Sequence, residues 1–133
     1  MLNRIDELLN DQQDFAFETT RSSKTYLHYL KRSKEKGYEM TLLLLWLNSI
    51  ELAIERVRIR VIEGGHDIPE EIIKRRYKRG LENFFNLYKK EVDNWMFIDN
   101  SGNEYKELAQ GTNGEENIYE QGTWFNLKQK YAK

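Results

Sequence analysis

The run Glu39–Leu47, EMTLLLLWL, constrains the fold more than any other part of the chain. Its apolar residues follow one another without polar alternation. A strand covered on both faces reads this way, and such strands belong to parallel sheets layered between helices. Around it the apolar periodicity switches between strand and helix types, which predicts an α/β domain. At 133 residues the chain suits one domain with a buried core.

Leu2, Ile5, Leu8 and Leu9 recur at helical spacing and predict an opening helix. Asp14–Glu18, DFAFE, reads as a short strand ending in a carboxylate. Ser22 or Ser23 can cap a helix that runs to about Lys36 and stops at Gly37. After the central strand, Ser49 caps a helix to about Ile62, with Ile50, Ala53, Ile54, Val57 and Val61 on one face. Residues 63–68 form a loop. Pro69, followed by Glu70 and Glu71, starts a long helix whose apolar stripe is Ile73, Tyr77, Leu81, Phe84 and Tyr88. Asn94–Asp99 is a further strand and Asn100–Asn103 a turn. Beyond Gly111 the chain reads as a polar, glycine-containing tail with a terminal helix over Trp124–Tyr131.

Charge is balanced: 21 Lys and Arg against 22 Asp and Glu, net −1. No general electrostatic attraction to nucleic acid or an anionic membrane follows from that. With no cysteine, disulfides, thiol nucleophiles and cysteine-ligated metals are excluded. The longest apolar run, Leu42–Leu47, is too short to span a bilayer, and the N-terminus lacks a signal-peptide core. These features predict a cytoplasmic protein.

Three patterns can carry chemistry. Glu18 and Thr20, in FETTRS, stand at a strand end, where open α/β sheets bind ligands; the same residues also suit a strand end and helix cap. The stretch Arg56–Gly80 holds eight Lys and Arg against four acids, a local charge of +4. Guanidinium groups match phosphate oxygens, although a solvated face with Glu–Arg pairs has the same pattern. Asp93 and Asp99 flank the WMFI strand and could do acid–base work or simply bound it. His66 sits in a Gly-Gly loop and suits a turn hydrogen bond. The chain contains no GxxxxGK[ST], the loop whose amides, Lys and Ser/Thr hold phosphates and Mg²⁺. GxGxxG, GxSxG and HExxH are also missing.

The succession FETT, GYE before the strand, S-x-ELA-x-ERV, EGGHDIPEE, RRYKRGL and W-x-x-x-DNSG resembles the later part of the zeta-toxin-like P-loop kinases, in the branch labelled predicted ATPases. The resemblance runs from about Arg4 to about Ala109. It implies a partial P-loop kinase-type parallel sheet flanked by helices, lacking the P-loop strand. It divides the chain into the C-terminal part of a kinase domain, 1–110, and a tail, 111–133. The family phosphorylates a UDP-N-acetylglucosamine-like sugar nucleotide with ATP and Mg²⁺, in zeta toxins proper as part of toxin–antitoxin systems. By position, Glu18 and Thr20 correspond to substrate binding. Arg60, Arg75 and Arg76 correspond to the catalytic lid that clamps phosphates, and Asn100 and Gly102 to the nucleotide. The chain begins after the family's P-loop and general base, so the expectation is a chain inactive alone. It would retain weak phosphate or nucleotide affinity through the lid arginines and pair its open strand edges within the chain or as a homodimer. The alternatives are half of a split kinase completed by a P-loop-bearing partner chain, or a non-enzymatic interaction module docking through Tyr119, Trp124, Phe125 and Tyr131.

Overall fold

The computed structural model describes residues 25–133, with side chains from Leu27 onward. The expected opening helix, the strand Asp14–Glu18, Glu18 and Thr20 all lie outside the described residues. Helix α1 (Thr25–Glu35) leads to strand β1 (Thr41–Trp46), which is followed by α2 (Ile50–Ile62) and α3 (Glu70–Asn83). Helix α3 continues through a π-helical turn, Phe84–Tyr88, and a last α-turn, Lys89–Glu91. Strands β2 (Asn94–Asp99), β3 (Lys106–Thr112) and β4 (Glu115–Ile118) follow, and α4 (Gln121–Tyr131) closes the chain.

Among the described residues the protein is a mixed α/β structure with one four-stranded sheet in the order β1-β2-β3-β4, flanked by helices. Only β1 and β2 are parallel, in the register Leu44↔Phe97, with α2 and α3 forming the crossover between them. The β2–β3 and β3–β4 pairs are antiparallel. The sheet is therefore mixed where the apolar run predicted a parallel one. The reason lies in residues 106–118, which read as the end of a domain and a polar tail. Asn113 and Gly114 adopt φ of 51° and 86°, the left-handed pair that closes a two-residue hairpin. Residues on either side pair as β3 and β4, so the division expected after residue 110 falls inside β3.

Local signals account for the helix ends. Ser49 Oγ accepts from the Leu52 N–H at 3.1 Å, the N-cap expected of it. Pro69 occupies the N-cap of α3, and Glu70 and Glu71 stand in its first turn. Gly37, with φ of 83°, follows α1, and Tyr38 N–H returns to the Ser33 carbonyl.

One face of the sheet carries the core. Leu44, Trp46, Trp95, Phe97 and Leu108 are buried against Leu81 and Phe84 of the α3 segment and Trp124, Leu127 and Tyr131 of α4. The π-helical turn adds a residue to the helix, so neighbouring Phe84 and Phe85 both enter the cluster. Phe84 lies edge-on to Trp95 at 5.5 Å and Phe85 is 5.1 Å from Trp124. Trp95 and Trp124 stack at 5.2 Å with 6° between planes. Full burial of each such side chain contributes about 1.5–3 kcal/mol. On the opposite face Leu43 and Leu45 remain 50% and 42% exposed, so the described residues do not cover β1 on both sides as its sequence predicted. No helix among the described residues is long and apolar enough to cross a membrane.

Candidate functional site: an arginine-lined cavity at the strand ends

The carboxyl ends of β1 and β2 open into a cavity of about 340 Å³ between α2 and α3. That is the position at which parallel strand pairs with helical crossovers expose backbone and place ligands. Its apolar floor comes from Leu44 and Leu47 of the β1 end, Val57 of α2, and Ile73 and Leu81 of α3. Arg56, Arg60 and Arg76 line it too, together with Asn100 and Tyr77.

Helical spacing explains the convergence. Arg56 and Arg60 are four apart on α2 and so share a face, and Arg76 stands next to Tyr77 of the α3 stripe. The turn after α2 fixes the last of the α2 arginines. Gly65 N–H donates to the Arg60 carbonyl at 2.6 Å, and a Cβ at Gly65 would lie 2.8 Å from that oxygen. Only glycine lets the chain return so closely. This is a structural reason for the Gly-Gly pair beside His66, which is itself exposed.

The opposite wall is tied by the turn after β2. Asn100 N–H donates to the Trp46 carbonyl at 2.7 Å. Asn48 N–H donates to Ser101 Oγ at 2.8 Å, and Ser101 N–H donates to Asp99 Oδ1 at 2.9 Å. Arg56 donates to the Ser101 carbonyl at 3.3 Å. The turn thus holds the β1–α2 connection and one guanidinium in place. Asp93 Oδ2 accepts from Met40 N–H at 2.7 Å at the other end of the same strand pair. Both aspartates bond backbone amides, the bounding role weighed against acid–base work.

Tyr77 Oη donates to the Leu47 carbonyl at 2.6 Å, pinning α3 to the end of β1. Burial, then the negative field of Tyr131 and the weaker fields of Asp99 and Glu51, push its phenol up to about 12, against a lowering by the neighbouring Trp46 indole. Tyr77 is therefore a neutral donor at physiological pH. Trp46 is itself buried, and its Nε1–H has no partner of hydrogen-bonding geometry in this structure.

Of the residues singled out from sequence, Arg60, Arg76 and Asn100 line the cavity. Arg75 is exposed on α3 and does not line it, and Gly102 is exposed beyond Asn100. Arg58, inside the same basic stretch, pairs with Glu70 on the surface. Sequence reasoning did not select Arg56 or Tyr77. The four-residue spacing of Arg56 to Arg60 could have found the first. Tyr77 looked like one more member of an apolar stripe.

The donor set suits an anion. Among the described residues three guanidinium groups and an amide line the cavity, and no carboxylate does. The residues fit the phosphates of a nucleotide. They do not fit Mg²⁺, which needs oxygen ligands such as carboxylates. Among the described residues no three His, Cys, Asp or Glu side chains gather as a metal site.

Fold and cavity together define a small mixed α/β protein with an arginine-lined pocket at its parallel strand ends. The chain is 36% identical over 63 residues to an uncharacterized protein of Haemophilus influenzae; the match covers 47% of this chain and 45% of that protein. It thus spans a little under half the length of that relative. No family model matches the chain, and no solved structure matches it.

Proposed function

We propose that this chain is a phosphate-binding module related to the zeta-toxin-like kinases, holding the phosphate end of a nucleotide or sugar nucleotide without transferring it alone. The observation that carries the reading is the convergence of Arg56, Arg60 and Arg76 with Asn100 on one cavity at the ends of β1 and β2. Guanidinium forks bind phosphate oxygens in pairs, and an apolar, partly closed floor strengthens each such contact. Phosphoryl transfer needs more: an amide cradle with its lysine, a held metal, and a base for the acceptor. This sequence contains no P-loop, and among the described residues the cavity lining supplies no carboxylate.

Calorimetric titration with ATP and with a UDP-sugar tests the proposal. Binding that weakens in the Arg60→Ala and Arg76→Ala variants, with no ATP turnover, is the expected result. Turnover of ATP by the purified chain would refute the inactive reading, and equal affinity in the variants would remove the site.

A second reading, half of a split kinase, is favoured by one observation. Among the described residues β1 is the outermost strand of the sheet, and its Leu43 and Leu45 are about half exposed. A P-loop-bearing polypeptide could pair there. The test is to mix the chain with the product of any adjacent reading frame that encodes GxxxxGK[ST]. ATP turnover by the mixture, and by neither component, is the outcome expected of a split enzyme.

A further inference from the structure

We infer that the cavity between α2 and α3 takes an organic phosphate monoester with an apolar body bearing a hydrogen-bond acceptor, bound without a divalent cation. The inference rests on the phosphate-site reading above and narrows it to a ligand class. Three features of the cavity lead to it.

The first is the unopposed charge. Among the described residues Arg56, Arg60 and Arg76 line the cavity with no carboxylate beside them, so the described lining carries a formal charge of +3. Arg60 and Arg76 have no ion pair among the described residues, and Arg56 is bonded only to a neutral carbonyl. A single carboxylate would leave part of that charge uncompensated, whereas a phosphate dianion with three terminal oxygens answers it. A nucleotide triphosphate normally arrives with Mg²⁺, whose remaining coordination sites the protein fills with oxygen. Among the described residues this lining has no carboxylate to give, only the Asn100 amide oxygen.

The second feature is the floor. Leu44, Leu47, Val57, Ile73 and Leu81 form an apolar surface beneath the guanidinium groups. Bare inorganic phosphate would leave this surface against water. A volume of about 340 Å³ lies at the small end of the range for ligand pockets, so a compact body fills it.

The third is a buried donor. Trp46 is only 8% exposed, lines the cavity, and has an Nε1–H with no hydrogen-bond partner. A buried N–H left unpaired costs about 1–3 kcal/mol. An acceptor on the ligand's apolar body would satisfy it. Tyr77 Oη, which donates to the Leu47 carbonyl, keeps lone pairs but does not meet the indole N–H in hydrogen-bonding geometry.

The experiment titrates the whole chain with three probes: inorganic phosphate, 4-nitrophenyl phosphate and MgATP. Calorimetry is combined with the ¹H–¹⁵N spectrum of the three indole N–H groups, the Trp46 signal being assigned from Trp46→Phe. The expected result is that 4-nitrophenyl phosphate binds about tenfold or more tighter than inorganic phosphate, from the added apolar burial. EDTA leaves that affinity unchanged, Arg76→Ala weakens it, and the Trp46 signal moves with the aryl phosphate but not with inorganic phosphate. Equal affinity for the two phosphates, or tighter binding of ATP that depends on Mg²⁺, would overturn the inference and leave the phosphate site standing. Binding indifferent to Arg76, or no binding of any probe, would overturn both.

Discussion

The two sides of helix α3 show opposite solutions to packing. Its C-terminal part, with the π-helical turn, presses Phe84 and Phe85 into a cluster where Trp95, Phe97 and Trp124 meet ring to ring. Phe84 and Phe97 are wholly buried there. Its N-terminal part faces α2 across a cavity lined by arginines and aliphatic side chains. Stability is concentrated in the first region, and the second is left unfilled at the strand ends. A protein whose only requirement was to fold would close the gap with larger side chains, because interiors otherwise pack to crystal-like density. The contrast teaches that the arginine side is free to serve a ligand because the aromatic side holds the fold.

If that division is right, the largest effects on stability lie far from the cavity. Phe84→Ala should cost about 3–5 kcal/mol, the usual loss for a buried aromatic ring, seen as a lower denaturant midpoint. Gly111→Ala comes next. A Cβ there would overlap the Trp95 ring, lying 2.8 Å from Cζ2, and Trp95 is held in place by its stack on Trp124. Overpacking of this kind costs about 1–3 kcal/mol. A Gly111→Ala protein as stable as the wild type would show that the stacked pair yields easily, and the contrast with the cavity would lose its basis.

The sequence made α2 and α3 legible because their signals are local. The Ser49 cap, the Pro69 start with two glutamates, and the period of the α3 stripe each act within a turn of helix. The hairpin was missed although Asn113-Gly114 carries its turn signal, because β4 is short and polar and three of its four residues, Glu115, Glu116 and Asn117, are exposed. Burial that comes from one strand neighbour leaves little periodicity to read. The arginines told a similar story. Charge content pointed to the stretch, but whether Arg75 or Arg76 faces α2 depends on the rotation of α3, which is set by distant core residues. Selecting both was as far as spacing could go, and Tyr77 was hidden by its own apolar ring.

Tyr77 sits on the boundary between the two regions and gives a smaller effect. Tyr77→Phe removes the donor to the Leu47 carbonyl and should cost about 1 kcal/mol. Its pH signature is more specific. The folded protein keeps the phenolic proton up to about 12, while the unfolded chain releases it near the ordinary value of 10.0. Between those values the folded state binds more protons than the unfolded one, so stability falls as pH rises. The contribution is whole below pH 10 and is lost toward pH 12. Denaturation followed across that window should therefore show a flatter alkaline decline in Tyr77→Phe than in wild type. Identical slopes would mean that the phenol feels no burial at the end of β1.

The smallest effect on folding is expected where the largest effect on binding lies. Arg76 is exposed, has no ion pair among the described residues, and lines the cavity, whereas Arg75 is its exposed neighbour outside it. Surface substitutions of this kind shift stability by no more than about 0.5 kcal/mol, so Arg75→Ala and Arg76→Ala should melt alike. Their phosphate affinities should part. Losing a charge-assisted hydrogen bond weakens binding by about tenfold or more, and only Arg76→Ala removes one from the cavity. Raising the salt concentration should narrow the difference, because a half-open site is partly screened. Equal losses in both variants would mean that the basic stretch attracts anions as a diffuse surface, with the cavity playing no part.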